Sequence, residues 1–87
     1  MNSTEIIDAI YSWANEQDFT APYGILKGQH VNKKGKGYKS ITFGRSRTLD
    51  ATVEVYNRNF MILRTNRREY DGVYKSFDSL MQSLKKL

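Results

Sequence analysis

Between residues 49 and 56 the chain alternates without a break: Leu49, Ala51, Val53 and Val55 are apolar, and Asp50, Thr52, Glu54 and Tyr56 between them are polar or amphipathic. Successive side chains of a strand point to opposite sides of the pleat, so a period of two marks a strand with one face on a core and one toward water. Such a strand needs partners at its edges and an apolar layer over one face. The segment therefore commits the fold to an antiparallel sheet covered on one side.

The flanking sequence supplies the partners. Residues 38–44 and 60–65 are rich in β-branched and aromatic side chains and read as strands. Tyr56-Asn57-Arg58-Asn59-Phe60 marks a tight hairpin, since asparagine tolerates the positive φ that such turns use. Phe60-Met61-Ile62-Leu63 is apolar on both faces, which predicts a position central in the sheet or covered on both sides. A short further strand is expected over 70–75, with Asp71-Gly72 as a bend or bulge.

Two amphipathic helices supply the cover. Asn2 with Glu5 three residues on fits a capping box, and Ile6, Ile10, Trp13 and Ala14, with Ile7 and Tyr11 beside them, make one apolar stripe running to about residue 14–16. Trp13 on that stripe is read as packing, not as an exposed stacking residue. At the other end Ser76 caps a helix to Leu87 whose inner face is Phe77, Leu80, Met81, Leu84 and Leu87, with Lys85 and Lys86 suited to its negative end. Pro22 with Gly24, Gly28, Gly35 and Gly37 excludes helix from 20–37. A short strand is expected at 23–27, and GQHVNKKGKGYK reads as a mobile basic loop. The expectation is one α+β domain over 1–87 with a basic Gly/Lys loop at about 27–37. Its order is α-β-β-β-(β)-α, with a three- to four-stranded antiparallel sheet packed with an N-terminal and a C-terminal helix.

Composition removes several kinds of chemistry. The chain has no cysteine and a single histidine, His30, so neither a disulfide framework nor a Cys/His metal site is expected. His30 stands in the glycine-lysine stretch with nothing nearby in sequence to fix its tautomer, and it reads as an ordinary exposed histidine, not a catalytic base. Asp50 and Glu54 share a strand face and could bind Mg²⁺ as a nuclease does, but no lysine follows Glu54 at short spacing, and a solvated strand face is the better reading. The glycines before residue 38 lack the GxxxxGK[ST] pattern and run into a strand, not a helix, so no phosphate-loop nucleotide site is expected. No catalytic residue, metal or cofactor is assigned. MNSTEIIDAIYSW carries acids where a signal peptide needs bases, and no apolar run approaches the roughly 20 residues that span a bilayer; a cytoplasmic protein is expected.

Charge supplies the functional lead. The net charge is +5, but it is segregated: residues 1–26 hold Glu5, Asp8, Glu16 and Asp18 and no base, whereas residues 27–48 hold Lys27, Lys33, Lys34, Lys36, Lys39, Arg45 and Arg47 and no acid. A polyanionic partner fits such a segment, and Tyr38 beside Lys36 and Lys39 adds a stacking residue of the kind that holds single strands. Asp50 and Glu54 on the polar face argue for contact at the loop and strand ends instead of across the sheet. The resulting expectation is a small non-enzymatic nucleic-acid-binding protein, DNA or RNA, that uses these seven bases and Tyr38, with Arg64, Arg67 and Arg68 extending the surface. A protein with an acidic face would meet the same charge, so a regulatory or inhibitory protein of the compact kind phages encode is the alternative, its interface including the acidic first helix.

Three resemblances accompany these readings. The order helix, three strands, helix resembles the double-stranded RNA-binding domain, although the second helix here opens Ser76-Phe77-Asp78-Ser79 and not with that family's lysine cluster. The sheet followed by an amphipathic helix is similar to the coactivator-type single-stranded DNA-binding fold. Asn66-Arg67-Arg68-Glu69-Tyr70 and Val73-Tyr74 resemble the tail of RelE-type RNase toxins, which would give Arg67, Arg68 and Tyr70 roles in phosphate stabilisation and proton transfer; that family's helical first half has no counterpart here.

Overall fold

The computed structural model describes residues 1–17, 19, 24–45 and 49–87. Helix α1 (Ser3–Asn15) precedes five strands, β1 (Leu26–Val31), β2 (Gly37–Arg45), β3 (Leu49–Asn57), β4 (Phe60–Thr65) and β5 (Gly72–Tyr74), and helix α2 (Phe77–Leu84) follows them. Each strand pairs antiparallel with its chain neighbour, giving the order β1-β2-β3-β4-β5. The α+β class and the two terminal helices agree with the sequence reading, although α2 ends at Leu84, short of the expected Leu87. The sheet has five strands, against the expected three or four.

Both helix ends form as their cap residues dictate. The Asn2 side chain accepts from the Glu5 amide at 2.9 Å, and Glu5 Oε1 accepts from the Asn2 amide at 3.0 Å, which closes the capping box. The Ser76 hydroxyl accepts from the Ser79 amide at the start of α2. The two helices lie on the same face of the sheet. Ile6, Ile7, Ile10 and Ala14 of α1 and Leu80 and Leu84 of α2 join Ile41, Phe43, Ala51, Val53, Val55, Met61 and Leu63 in one buried cluster. Among the described residues, no helix covers the opposite face and no helix is long and apolar enough to cross a membrane.

β4 lies between β3 and β5, in keeping with its apolar sequence. Its helix-side residues Met61 and Leu63 are buried, whereas Phe60 and Ile62 on the other face are half-buried among neighbouring strands. The Asp71 carboxylate accepts from the Thr65 amide and hydroxyl, fixing the bend that leads through a 3-10 turn (Arg68–Tyr70) into β5.

The main correction concerns the basic stretch. Residues 26–31 pair with 37–42, so most of the expected mobile loop is sheet. What remains is the tight turn 32–36. Asn32 organises it: its Oδ1 accepts from the Lys34 and Lys36 amides, both at 2.9 Å, while its own amide donates to the Lys36 carbonyl at 2.8 Å. Gly35, with φ at 81°, supplies the left-handed residue the turn requires. Glycine and lysine content indicated flexibility, but one side-chain acceptor satisfies two turn amides and orders the backbone. Asn32→Ala is expected to cost about 1 kcal/mol and to accelerate hydrogen exchange at the Lys34 and Lys36 amides while the strands stay protected. Equal exchange at those amides in parent and variant would show that Asn32 does not hold the turn.

Candidate functional site

The open face of the sheet carries a row of four rings at the end where the β1–β2 and β3–β4 turns lie. His30 on β1, Tyr38 on β2, Tyr56 on β3 and Phe60 on β4 follow one another across the strands, with successive ring centroids 5.2, 5.0 and 5.4 Å apart. Lys75, just past β5, places its Nζ 5.1 Å from the centroid of Phe60 and ends the row with a cation.

Register builds this row. His30 pairs directly with Tyr38, and Tyr38 and Tyr56 lie one step beyond the Lys39–Val55 pair. The β3–β4 register then shifts between Val55 and Asn57, which seats Phe60 opposite Asn57 and brings its ring to Tyr56. Gly28 makes room for the first ring: a Cβ there would lie 2.6 Å from His30 Nε2 and 2.9 Å from Ser40 Oγ. The imidazole therefore folds over the Gly28 backbone and hydrogen-bonds Ser40 at 3.0 Å. Asn32 Nδ2 donates to the Tyr56 hydroxyl at 3.4 Å, linking the turn to the row.

Of the residues that the sequence singles out, few share one surface. Lys33, Lys34 and Lys36 stand exposed on the turn beside the row, and Tyr38 is part of it. Lys27 and Lys39 face the helix side, where they line a recess of about 310 Å³ with Thr4, Ile7, Asp8 and Gln29. There Lys27 pairs with Asp8 at 3.6 Å and lies 4.7 Å from the centroid of the Tyr11 ring. Arg45 ends β2, roughly 26 Å along the strand from the turn, with its guanidinium 4.8 Å from the centroid of Phe19. Arg67 and Arg68 are exposed at that same far end, and Arg47 lies outside the described residues. Tyr70 packs against the core, and its carbonyl accepts from the Tyr74 hydroxyl.

Arg64 is on the open face but its Nε donates to Glu54 Oε2 at 3.1 Å. This pair bears on the objection that two acids on the polar face would repel phosphate. Glu54 has a cation against it, and Asp50 is roughly 20 Å along β3 from Tyr56. The carboxylates in the first helical turns, Glu5 and Asp78, belong to the covered side. Around the row stand Lys33, Lys34, Lys36, Lys75 and, on the β3–β4 turn, Arg58, all exposed.

His30, Tyr56, Phe60, Lys75 and Arg58 are the residues that sequence reasoning missed. The alternation of β3 does put Tyr56 on the polar face, and an apolar Phe60 on the face opposite Met61 was visible. Nothing in the sequence tied either to His30, because that contact needs β1 to extend through 28–31. Among the described residues, no group of three or more His, Cys, Asp or Glu side chains gathers as a metal site would require. Comparison with protein-family models, with curated proteins and with solved structures finds no match for this chain.

Proposed function

We propose that this chain is a non-enzymatic nucleic-acid-binding module of the cytoplasm whose contact surface is the turn end of the sheet's open face. The observation that carries the reading is the junction of the ring row with Lys33, Lys34, Lys36, Arg58 and Lys75. Cations around apolar rings suit a partner that offers phosphates and bases together, since phosphate contacts supply affinity and position while rings meet the bases. Lys27, Lys39 and Arg45 are left out of this surface, as each is turned toward the helices. Arg64, Arg67 and Arg68 stand apart from it as well. The RNase reading gains no comparable support, because the Tyr70 ring it needs is packed against the core.

Fluorescence anisotropy with protein stripped of co-purified nucleic acid tests the proposal on labelled single- and double-stranded DNA and RNA. Binding is expected at low salt, weakening to a Kd of roughly 1 to 100 µM at physiological salt, the range of sequence-independent phosphate binding. Absence of binding to every probe at low salt would refute the proposal. The labelled RNA is expected to stay intact, and its cleavage would favour the toxin-type reading.

A specific observation favours one other reading. β1 is an edge strand, and Leu26 and Val31 on it are 50% and 69% exposed, so a protein segment could add to that edge through backbone hydrogen bonds. A regulatory or inhibitory protein would bind its target there.

A further inference from the structure

We infer that the surface takes single strands in preference to duplex, with the bases of a DNA or RNA strand stacking along His30, Tyr38, Tyr56 and Phe60. This inference rests on the nucleic-acid reading above and specifies the form of the ligand. Duplex DNA offers phosphates at its surface but keeps its base faces in the stack, so rings on a protein's flat face have nothing to pair with there. An unpaired strand exposes those faces, and aromatic side chains on an open sheet stack them without regard to sequence.

Three features of the face match that ligand. The rings are presented and not buried: His30 is exposed, and Tyr38, Tyr56 and Phe60 are half-buried. The rings lie outside the core on the helix side; the side chains next to them on this face are Ser40, Glu54 and Ile62, with Glu54 paired to Arg64. The row also runs across the strands, from the edge at β1 to Lys75 beyond β5, with cations along one side at the two turns. A strand laid along the rings would keep its phosphates toward Lys33, Lys34, Lys36 and Arg58 and end under Lys75. Sheets that bind RNA by ring stacking seat two or three bases, and the four rings here offer a platform of that order.

The test compares an unlabelled oligo-dT and an oligo-U of about 12 nucleotides, within the span that small single-strand-binding folds occupy, with a duplex of equal length. For the parent protein, single strands are expected to bind more tightly than duplex, and the ring protons of Tyr38 and Tyr56 to shift in NMR spectra as either oligonucleotide is added. Tyr38→Ala and Tyr56→Ala are each expected to lower single-strand affinity roughly 5- to 150-fold with the slope of log affinity against log salt unchanged, while Tyr38→Phe and Tyr56→Phe bind like the parent. Melting curves establish that each variant folds, and the ring-proton shifts decide the matter on the parent should an alanine variant fail to. Duplex bound as tightly as single strand, or ring protons unmoved by a bound oligonucleotide, would overturn the stacking inference and leave phosphate binding standing. No binding to any probe would remove both.

Discussion

Phe43→Ala is expected to remove about 3 to 5 kcal/mol of stability, the range for truncating a buried phenylalanine. Phe43 is 1% exposed and sits where α1 meets the sheet. Its ring centroid lies 5.7 Å from Trp13 and 4.8 Å from Phe19, and Trp13 and Phe19 are themselves 5.6 Å apart, so three rings close on one another. Across the strand pair its partner is Ala51, too small to fill the space left behind. Arg45 covers the outer side of Phe19. Domains of this kind have about 5 to 15 kcal/mol in total, so the variant should melt lower by more than about 10 °C, given the 4 to 8 °C per kcal/mol typical of this size. Urea titration followed by circular dichroism measures the loss. A midpoint unchanged from the parent would mean that the three-ring cluster does not hold α1 on the sheet.

Joint replacement of Lys33, Lys34 and Lys36 by alanine is expected to have the largest effect on binding. Each lysine that neutralises a phosphate releases condensed counterion, contributing about 0.9 to the slope of log affinity against log salt on duplex and about 0.7 on a single strand. The triple variant should therefore flatten the slope by roughly 2 to 3, and lose most affinity at low salt, where counterion release is most favourable. All sequences should weaken alike, because exposed lysines on a turn reach phosphates and not base edges. Folding should hold, since the turn is built by Asn32 and Gly35 and not by lysine side chains. Lys27→Ala is the control: its ammonium is engaged with Asp8 and Tyr11 on the covered side, so the slope should stay as in the parent. Anisotropy titrations between about 50 and 200 mM salt read both. A triple variant that folds and keeps the parental slope would remove the turn from the site.

The contrast between Lys27 and Lys34 shows where sequence reading stops. Local patterns determined the elements: the period-two alternation of 49–56 became β3, the Asn2–Glu5 pair became a closed capping box, and Ser76 started α2. Each depends on residues within a few positions of one another, whose geometry the backbone period fixes. The segment 27–48 likewise announced its charge, but not where the charge goes. Strand formation through 26–31 sends Lys27 and Lys39 to the helix side, and the length of β2 carries Arg45 to the far end, so a run that is continuous in sequence is dispersed in space.

The ring row is the converse case. His30, Tyr38, Tyr56 and Phe60 come from four strands, and their adjacency depends on the register of three pairings, including the shift between Val55 and Asn57. A slip of one residue in any pairing would turn a ring to the other face. Register is fixed by the whole buried face at once, with α1 and α2 selecting which side of every strand is covered. The sequence by itself thus determined the strands, the helices and the presence of a basic segment, because those follow from short-range periodicity and composition. Only the tertiary structure decided that β1 runs through residues 28–31, how the basic segment is dispersed, and which rings meet on the open face, because those follow from long-range pairing that no local pattern encodes.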